Sequence, residues 1–232
     1  MSRYQSEHSW ILHRRAWRES SLLLELFSRE HGRVGLVARG LRGQRSPWRG
    51  LGEPFTPLRT CWVRRGELGT LTDIEASAVR GGLSSRGLWC GLYANELVLT
   101  LVERDEPVPE LFDAYAALLP LLQDACAQAT ALRRFELALL QCLGVAPDLE
   151  AEALHGDPIR EDGSYRLEPE AGFVAAAPGH AVYSGQAILW LAGKAAIDAD
   201  GRRQAREIMR ALIDQQLNGR RLKTRELFRD SQ

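Results

Sequence analysis

At 232 residues, 45% of them hydrophobic, the chain suits one large or two small domains with a buried core. No apolar run approaches the ~18 residues of a membrane span, and the opening MSRYQSEHSW lacks the apolar stretch of a signal peptide, so a soluble cytoplasmic protein without membrane partners is expected. Formal net charge is zero, but residues 1–82 hold 14 Arg against 8 acids, residues 83–200 hold 7 basic against 18 acidic residues, and residues 201–232 hold 9 basic against 4; asymmetry of this kind speaks about partners rather than fold.

Five stretches of strand length come first: Trp10 to Trp17, Ser21 to Phe27, Arg33 to Arg39, Leu58 to Arg65 and Leu68 to Val79. In the third, Val34, Leu36 and Ala38 alternate with Arg33, Val37 and Arg39, so one face is apolar. Five short strands and one longer connection suit a small Greek-key barrel of the oligonucleotide-binding (OB) type; the pattern alone leaves an SH3-like barrel open. The longer connection carries Arg39, Arg42, Arg45 and Arg49 among Gly40, Gly43, Gly50 and Gly52, with Trp48 in the middle and Glu53 as its single acid. A mobile, glycine-rich loop cannot hide four guanidinium groups, so they face solvent or a partner rich in phosphate. Arg outnumbers Lys 28 to 2 along the chain, so it is the clustering, not the abundance, that points to nucleic acid. Trp48 either stacks on a base or anchors the loop to the barrel. Trp10, Trp17, Trp62, Trp89 and Trp190 read as core.

After Gly81-Gly82 the period becomes helical, which divides the chain into a barrel over 1–82 and a mainly helical part over 83–232. Helices are predicted over Ser84 to Arg104, with Ser84 or Ser85 as cap, over Glu110 to Gln123, and over Cys126 to Leu143, where Gly144 stops the third. Asp148 to Ser184 is acidic, rich in Gly and Pro, and reads as an irregular insertion with a small hairpin. Helical pattern returns through Ile188 to Ile197, Gly201 to Leu217 and a final turn at Thr224 to Phe228. On a helical wheel Glu136 falls inside the apolar arc of Leu132, Phe135, Leu139 and Leu143, where a carboxylate needs an Arg or backbone partner.

The run SLLLELFSREHGRV followed by VARGLRGQRSPWRGLGEPF, then ALRRFELALLQCLG, then LNGRRLKTRELFR resembles, in that order and over nearly the whole chain, the bacterial recombination-repair mediator family RecO. The resemblance implies an α+β protein, an N-terminal five-stranded OB-type barrel followed by a mainly α-helical domain. It also implies a nucleoid-associated DNA repair and recombination protein without enzymatic activity or cofactor. Such a mediator binds single- and double-stranded DNA, anneals complementary strands and, with its partner RecR, helps load the RecA recombinase onto strands coated by single-stranded-DNA-binding protein (SSB). Arg39, Arg42, Arg45, Trp48 and Arg49 are then the DNA-binding residues. An RNA-binding barrel and a protein-only adaptor, whose acidic middle binds a basic partner, are the alternatives. The acidic, phenylalanine-ended SSB tail is the further ligand the resemblance supplies. The wheel places it where Leu137 leaves the apolar arc between Arg133 and Arg134. Arg220, Arg221, Lys223 and Arg225 form either a second basic patch or cations favoured near a helix end.

Motifs for catalysis are missing. Lys194 and Lys223 are the only lysines and neither sits in GxxxxGK[ST]; His8, His13, His31, His155 and His180 are isolated. The acids Glu103, Asp105 and Glu106, and Asp148, Glu150 and Glu152, read as solvated loop charge rather than as a two-metal nuclease site. Cys61, Cys90, Cys126 and Cys142 are scattered and read as reduced core thiols. Some relatives in the resembled family carry a cysteine-based zinc site just after the helix that ends here at Gly144, but that stretch of this chain has no Cys, so no structural metal is expected.

Overall fold

The computed structural model describes residues 2–78, 83–177 and 183–228; Val79, Gly81, Gly82, His180 and Arg229 lie outside them. The chain falls into two compact units, Met1–Ala129 with Leu222–Gln232, and Thr130–Arg221.

The first unit is built on β1 (Ser2–Trp17), β2 (Ser21–Ser28), β3 (Gly32–Ala38), β4 (Leu58–Arg64) and β5 (Gly69–Ala76), closed in the order β1-β2-β3-β5-β4. This is an OB-type barrel, with a parallel β3–β5 contact at Leu36–Gly69 and Val37–Thr70 and antiparallel pairs elsewhere. Ile11, Leu22, Leu24, Leu26, Leu36 and Trp62 lead its core. The close β3–β5 approach explains Gly69: a Cβ there would stand 2.4 Å from the Leu36 side chain.

β1 is twice as long as the sequence suggests. Its first half, through Ser9, is polar and has no alternation of its own, yet it pairs from Ser2–Arg64 to Ser9–Leu58 with β4. Its strand character comes from that partner and is interrupted by a bulge between Tyr4 and Glu7. The second half pairs with β2 through Trp17–Ser21. Trp17 is 39% exposed there, so its assignment to the core is corrected; Trp10 and Trp62 are buried, and Trp89 and Trp190 half-buried.

Against the barrel pack α1 (Ser85–Leu101), capped by the Ser84 hydroxyl accepting from Gly87 N, and α2 (Pro109–Leu121), with proline in its first turn. Trp10 and Phe27 of the barrel meet Phe112 and Tyr115 with ring centroids 5.4–6.1 Å apart. Inside this aromatic cluster Asn95 Nδ2 donates to the Leu12 carbonyl at 2.8 Å, and the Tyr115 hydroxyl donates to Asn95 Oδ1 at 2.5 Å. Burial pushes the Tyr115 phenol far up, so it stays a donor at all working pH values. The final turn, α6 (Thr224–Leu227), belongs to the same unit. Glu96 of α1 accepts the backbone N–H groups of Lys223 and Thr224, and Phe228 meets Trp89 and Tyr93 edge-on.

The second unit takes in α3 (Gln128–Cys142) from Thr130 onward. It continues through the hairpin β6 (Ser164–Glu168) and β7 (Gly172–Ala175), the short β8 (Tyr183–Ser184), α4 (Gly185–Leu191) and α5 (Ala199–Leu217). The hairpin expected in the acidic insertion is present, with β8 completing a small sheet. α4 stops at Leu191 instead of reaching Ile197, because Gly193 turns left-handed at φ 78° and its N–H bonds the Trp190 carbonyl. Glu136 is 1% exposed, and Arg133 holds it with Nη2 2.8 Å from Oε1 and Nε 2.7 Å from Oε2, the structural ion pair its place on the wheel requires. The assignment of all four thiols to the core is corrected: Cys90 is buried and Cys61 half-buried, but Cys126 and Cys142 are exposed at the two ends of α3.

Replacing Tyr115 by Phe removes the donor to Asn95 and leaves a buried carbonyl oxygen alone. Urea denaturation is expected to show a loss of about 1–3 kcal/mol, and unchanged stability would mean that this hydrogen bond from α2 to α1 does not stabilise the packing of the two helices.

Candidate nucleic-acid interface

The basic loop leaves β3 after Ala38 and returns to β4 at Leu58. It is folded into turns rather than extended. Four successive tight turns organise it, Gly43 N to Gly40 O at 3.0 Å, Ser46 N to Gly43 O at 3.0 Å, Arg49 N to Ser46 O at 3.3 Å and Leu51 N to Trp48 O at 3.0 Å. Gly40 and Gly50 take left-handed φ values of 71° and 88°, which explains glycine at both positions. Leu41 leaves the loop and joins the barrel core at 4% exposure, and Gly52 passes so close that a Cβ would sit 2.9 Å from Leu41 and 3.1 Å from Leu22. Farther along, the Phe55 ring packs against Gly91 of α1.

With its apolar residues anchored inward, the loop turns its cations out. Arg39, Arg42, Arg45 and Arg49 are all exposed, and among the described residues none of them has an acid partner. The loop's acid, Glu53, is engaged by Arg14 of β1 at 2.6 Å. Trp48 is half-buried and packs with Leu51 on the barrel core, a geometry that serves anchoring. The loop is also tied to the β1–β2 turn, since Arg42 N donates to the Ser20 carbonyl at 2.9 Å. Exposed Trp17 and Arg18 lie in or next to that turn, and exposed Arg15 precedes it on β1. Those three are hard to recognise from sequence because they sit in and beside a predicted strand; the run of four polar or small residues from His13 to Ala16 is the available signal.

The other predicted residues fare differently. Arg133 is turned onto Glu136 with its side chain 12% exposed, so of the tail-docking group Arg134 is the exposed cation and Leu137 is half-buried beside it. Arg220 and Arg221 belong to the second compact unit, whereas Lys223 and Arg225 belong to the first. Of the two acidic groups, Asp105, Asp148, Glu150 and Glu152 are engaged structurally, while Glu103 and Glu106 are exposed. Asp105 pairs with Arg64, which holds its carboxyl below the usual range, and its N–H bonds the Arg33 carbonyl at the end of β3 away from the loop. Asp148 accepts the N–H groups of Glu150 and Ala151, and Glu150 pairs with Lys194. Glu152, His155 and Asp157 approach within 4.8 Å. The Glu152 carboxylate accepts the N–H groups of Leu154 and His155, which lower its pKa and make this a capped turn.

Comparison with known proteins agrees with the architecture. The profile of Recombination protein O N terminal matches residues 1–80, and that of Recombination protein O C terminal matches residues 85–226. The chain is 43% identical to the DNA repair protein RecO of Halorhodospira halophila over 234 residues, covering 99% of this chain and 98% of that protein. It is 41% identical to the DNA repair protein RecO of Methylococcus capsulatus over 230 residues, covering 99% and 95%, and 42% identical to that of Alkalilimnicola ehrlichii over 226 residues, covering 95% and 89%. Fold and matches together define a DNA repair protein built as an OB-type barrel followed by helices. The chain belongs to the RecO family.

If the loop cations meet phosphates, changing Arg39, Arg42, Arg45 and Arg49 together to Ala weakens binding to all DNA sequences alike. The log-log salt slope on single strands should then fall by roughly 0.7 for each phosphate no longer neutralised; an unchanged slope in a salt titration would show that the loop is only solvated.

Proposed function

We propose that this chain is a non-enzymatic mediator that binds single- and double-stranded DNA through its barrel, anneals complementary strands, and works with RecR to load recombinase onto SSB-coated single strands. The observation that carries the reading is the anchored loop with four outward arginines and, among the described residues, no acid to neutralise them. Annealing requires two polyanions to approach without regard to sequence. Guanidinium groups that address phosphates rather than base edges lower their mutual repulsion and leave the bases free to pair. Structural engagement of Asp105, Asp148 and Glu150 supports a protein that handles DNA without cutting it. For the SSB tail, Arg134 and Leu137 offer a cation beside an apolar contact; Arg133 serves this site indirectly, by fixing Glu136 beneath it.

A strand-annealing assay with bare and SSB-coated oligonucleotides tests both parts. Wild type is expected to accelerate annealing on both, and Leu137→Asp to keep the effect on bare strands while losing it on coated ones. A wild-type protein that neither binds nor anneals DNA at low salt would sink the proposal, and a Leu137→Asp variant active on coated strands would remove the tail site alone.

A further inference from the structure

The outer face of the first three strands carries an exposed aromatic side chain. Trp17 stands opposite Ser21 at the end of β1. Its neighbour Ala16 stands opposite Leu22, a barrel-core residue, so alternation turns Trp17 outward. Among the described residues the indole makes no ring contact, whereas Trp10 and Trp62 both do. The adjoining turn residue, Arg18, holds a left-handed φ of 55°, a conformation that disfavours side chains other than glycine and asparagine.

The residues flanking Trp17 have the charge sign that a nucleic-acid strand requires. Arg15 lies on the same outer face, opposite Leu23, which in turn faces Val37 of β3. One step past the Leu22–Ala38 pair, the same alternation turns Arg39 outward, two strands from Trp17 and so about 10 Å away. Between them lie Ser21, Leu23 and Val37, all buried or half-buried and none charged. An exposed indole thus stands beside the uncharged Ser21, Leu23 and Val37, with exposed Arg15 on its own face, Arg18 next in the chain, Arg39 two strands over, Arg42 tied by its N–H to Ser20, and Glu19 as the acid of the turn.

We propose that Trp17 is a stacking platform for an unpaired base, and that through it the barrel favours single-stranded over double-stranded DNA. The proposal rests on the barrel being the DNA-binding surface and adds what the arginines by themselves cannot supply. Arginines that meet phosphates serve either form, but a base offers its flat face to an indole only when it is out of the duplex stack. Trp48, the aromatic residue of the loop itself, is packed onto the core and does not compete for this role.

Trp17→Ala and Trp17→Phe in the full chain, titrated with an oligo-dT strand and with a blunt duplex of the same length, test it. The alanine variant is expected to bind the single strand roughly 5- to 150-fold more weakly, the range corresponding to loss of one stacked base. It should bind the duplex within about twofold of wild type, keep the wild-type salt slope because every phosphate-facing cation is still present, and be largely rescued by phenylalanine. Trp17→Gln replaces the alanine form if that one is unstable. An alanine or glutamine variant that binds the single strand like wild type, that loses both forms equally, or that changes the salt slope overturns the stacking role while leaving the basic surface in place. A wild-type protein that binds neither oligonucleotide at low salt removes the parent reading together with this one.

Discussion

Leu41 sits three residues beyond the end of β3, flanked from Arg39 to Ser46 by glycines, arginines and polar residues, yet its side chain is 4% exposed within the barrel core. Burial of such a side chain contributes about 1.5–3 kcal/mol, enough to hold a loop whose turns individually contribute little. The consequences are geometric. Once Leu41 is seated and Gly52 passes over it, the intervening chain folds into successive tight turns, and the cations are left on the outside because Trp48 and Leu51 take the inward positions. Arg14 and the Ser20 carbonyl complete the attachment by holding Glu53 and Arg42 N.

The same barrel keeps its charges apart. At the start of β3, Arg33, Arg64 and Arg104 are matched with Glu25 and Asp105, and Arg29 of the β2–β3 turn with Asp113 of α2. These pairs position α2 and the segment between α1 and α2; the more exposed of them, Arg29–Asp113, contributes little to stability by itself, whereas Arg33 and Glu25 are largely shielded from solvent. At the other end of β3 the loop arginines lack such matches among the described residues. A protein with zero formal net charge therefore presents a cationic surface at one end of its barrel, which is the condition for holding DNA without being a polycation throughout.

Much of this is legible in the sequence because it depends on local pattern. Alternation in β3, the cap at Ser84 and the stop at Gly144 each report a short stretch of chain, and the wheel places Glu136 correctly because the helix around it is regular. The first half of β1 is not legible: its strand conformation depends on β4, far along the chain at Leu58–Arg64, and nothing within Ser2–Ser9 announces it. Trp17 is misplaced by sequence pattern because tryptophan is usually buried, and only the register of β1 against β2 shows which face it occupies. The loop is recognisably basic, but its anchoring depends on a leucine entering a core that composition cannot locate.

Hydrogen–deuterium exchange of the full chain, with and without an oligo-dT strand at low salt, tests most directly whether the anchored basic surface of the barrel is where DNA lies. Added protection is expected in the β1–β2 turn and along residues 39–53, with the aromatic cluster of Trp10, Phe27 and Tyr115 unchanged. Protection confined to residues 130–221, with none in the barrel, would contradict it.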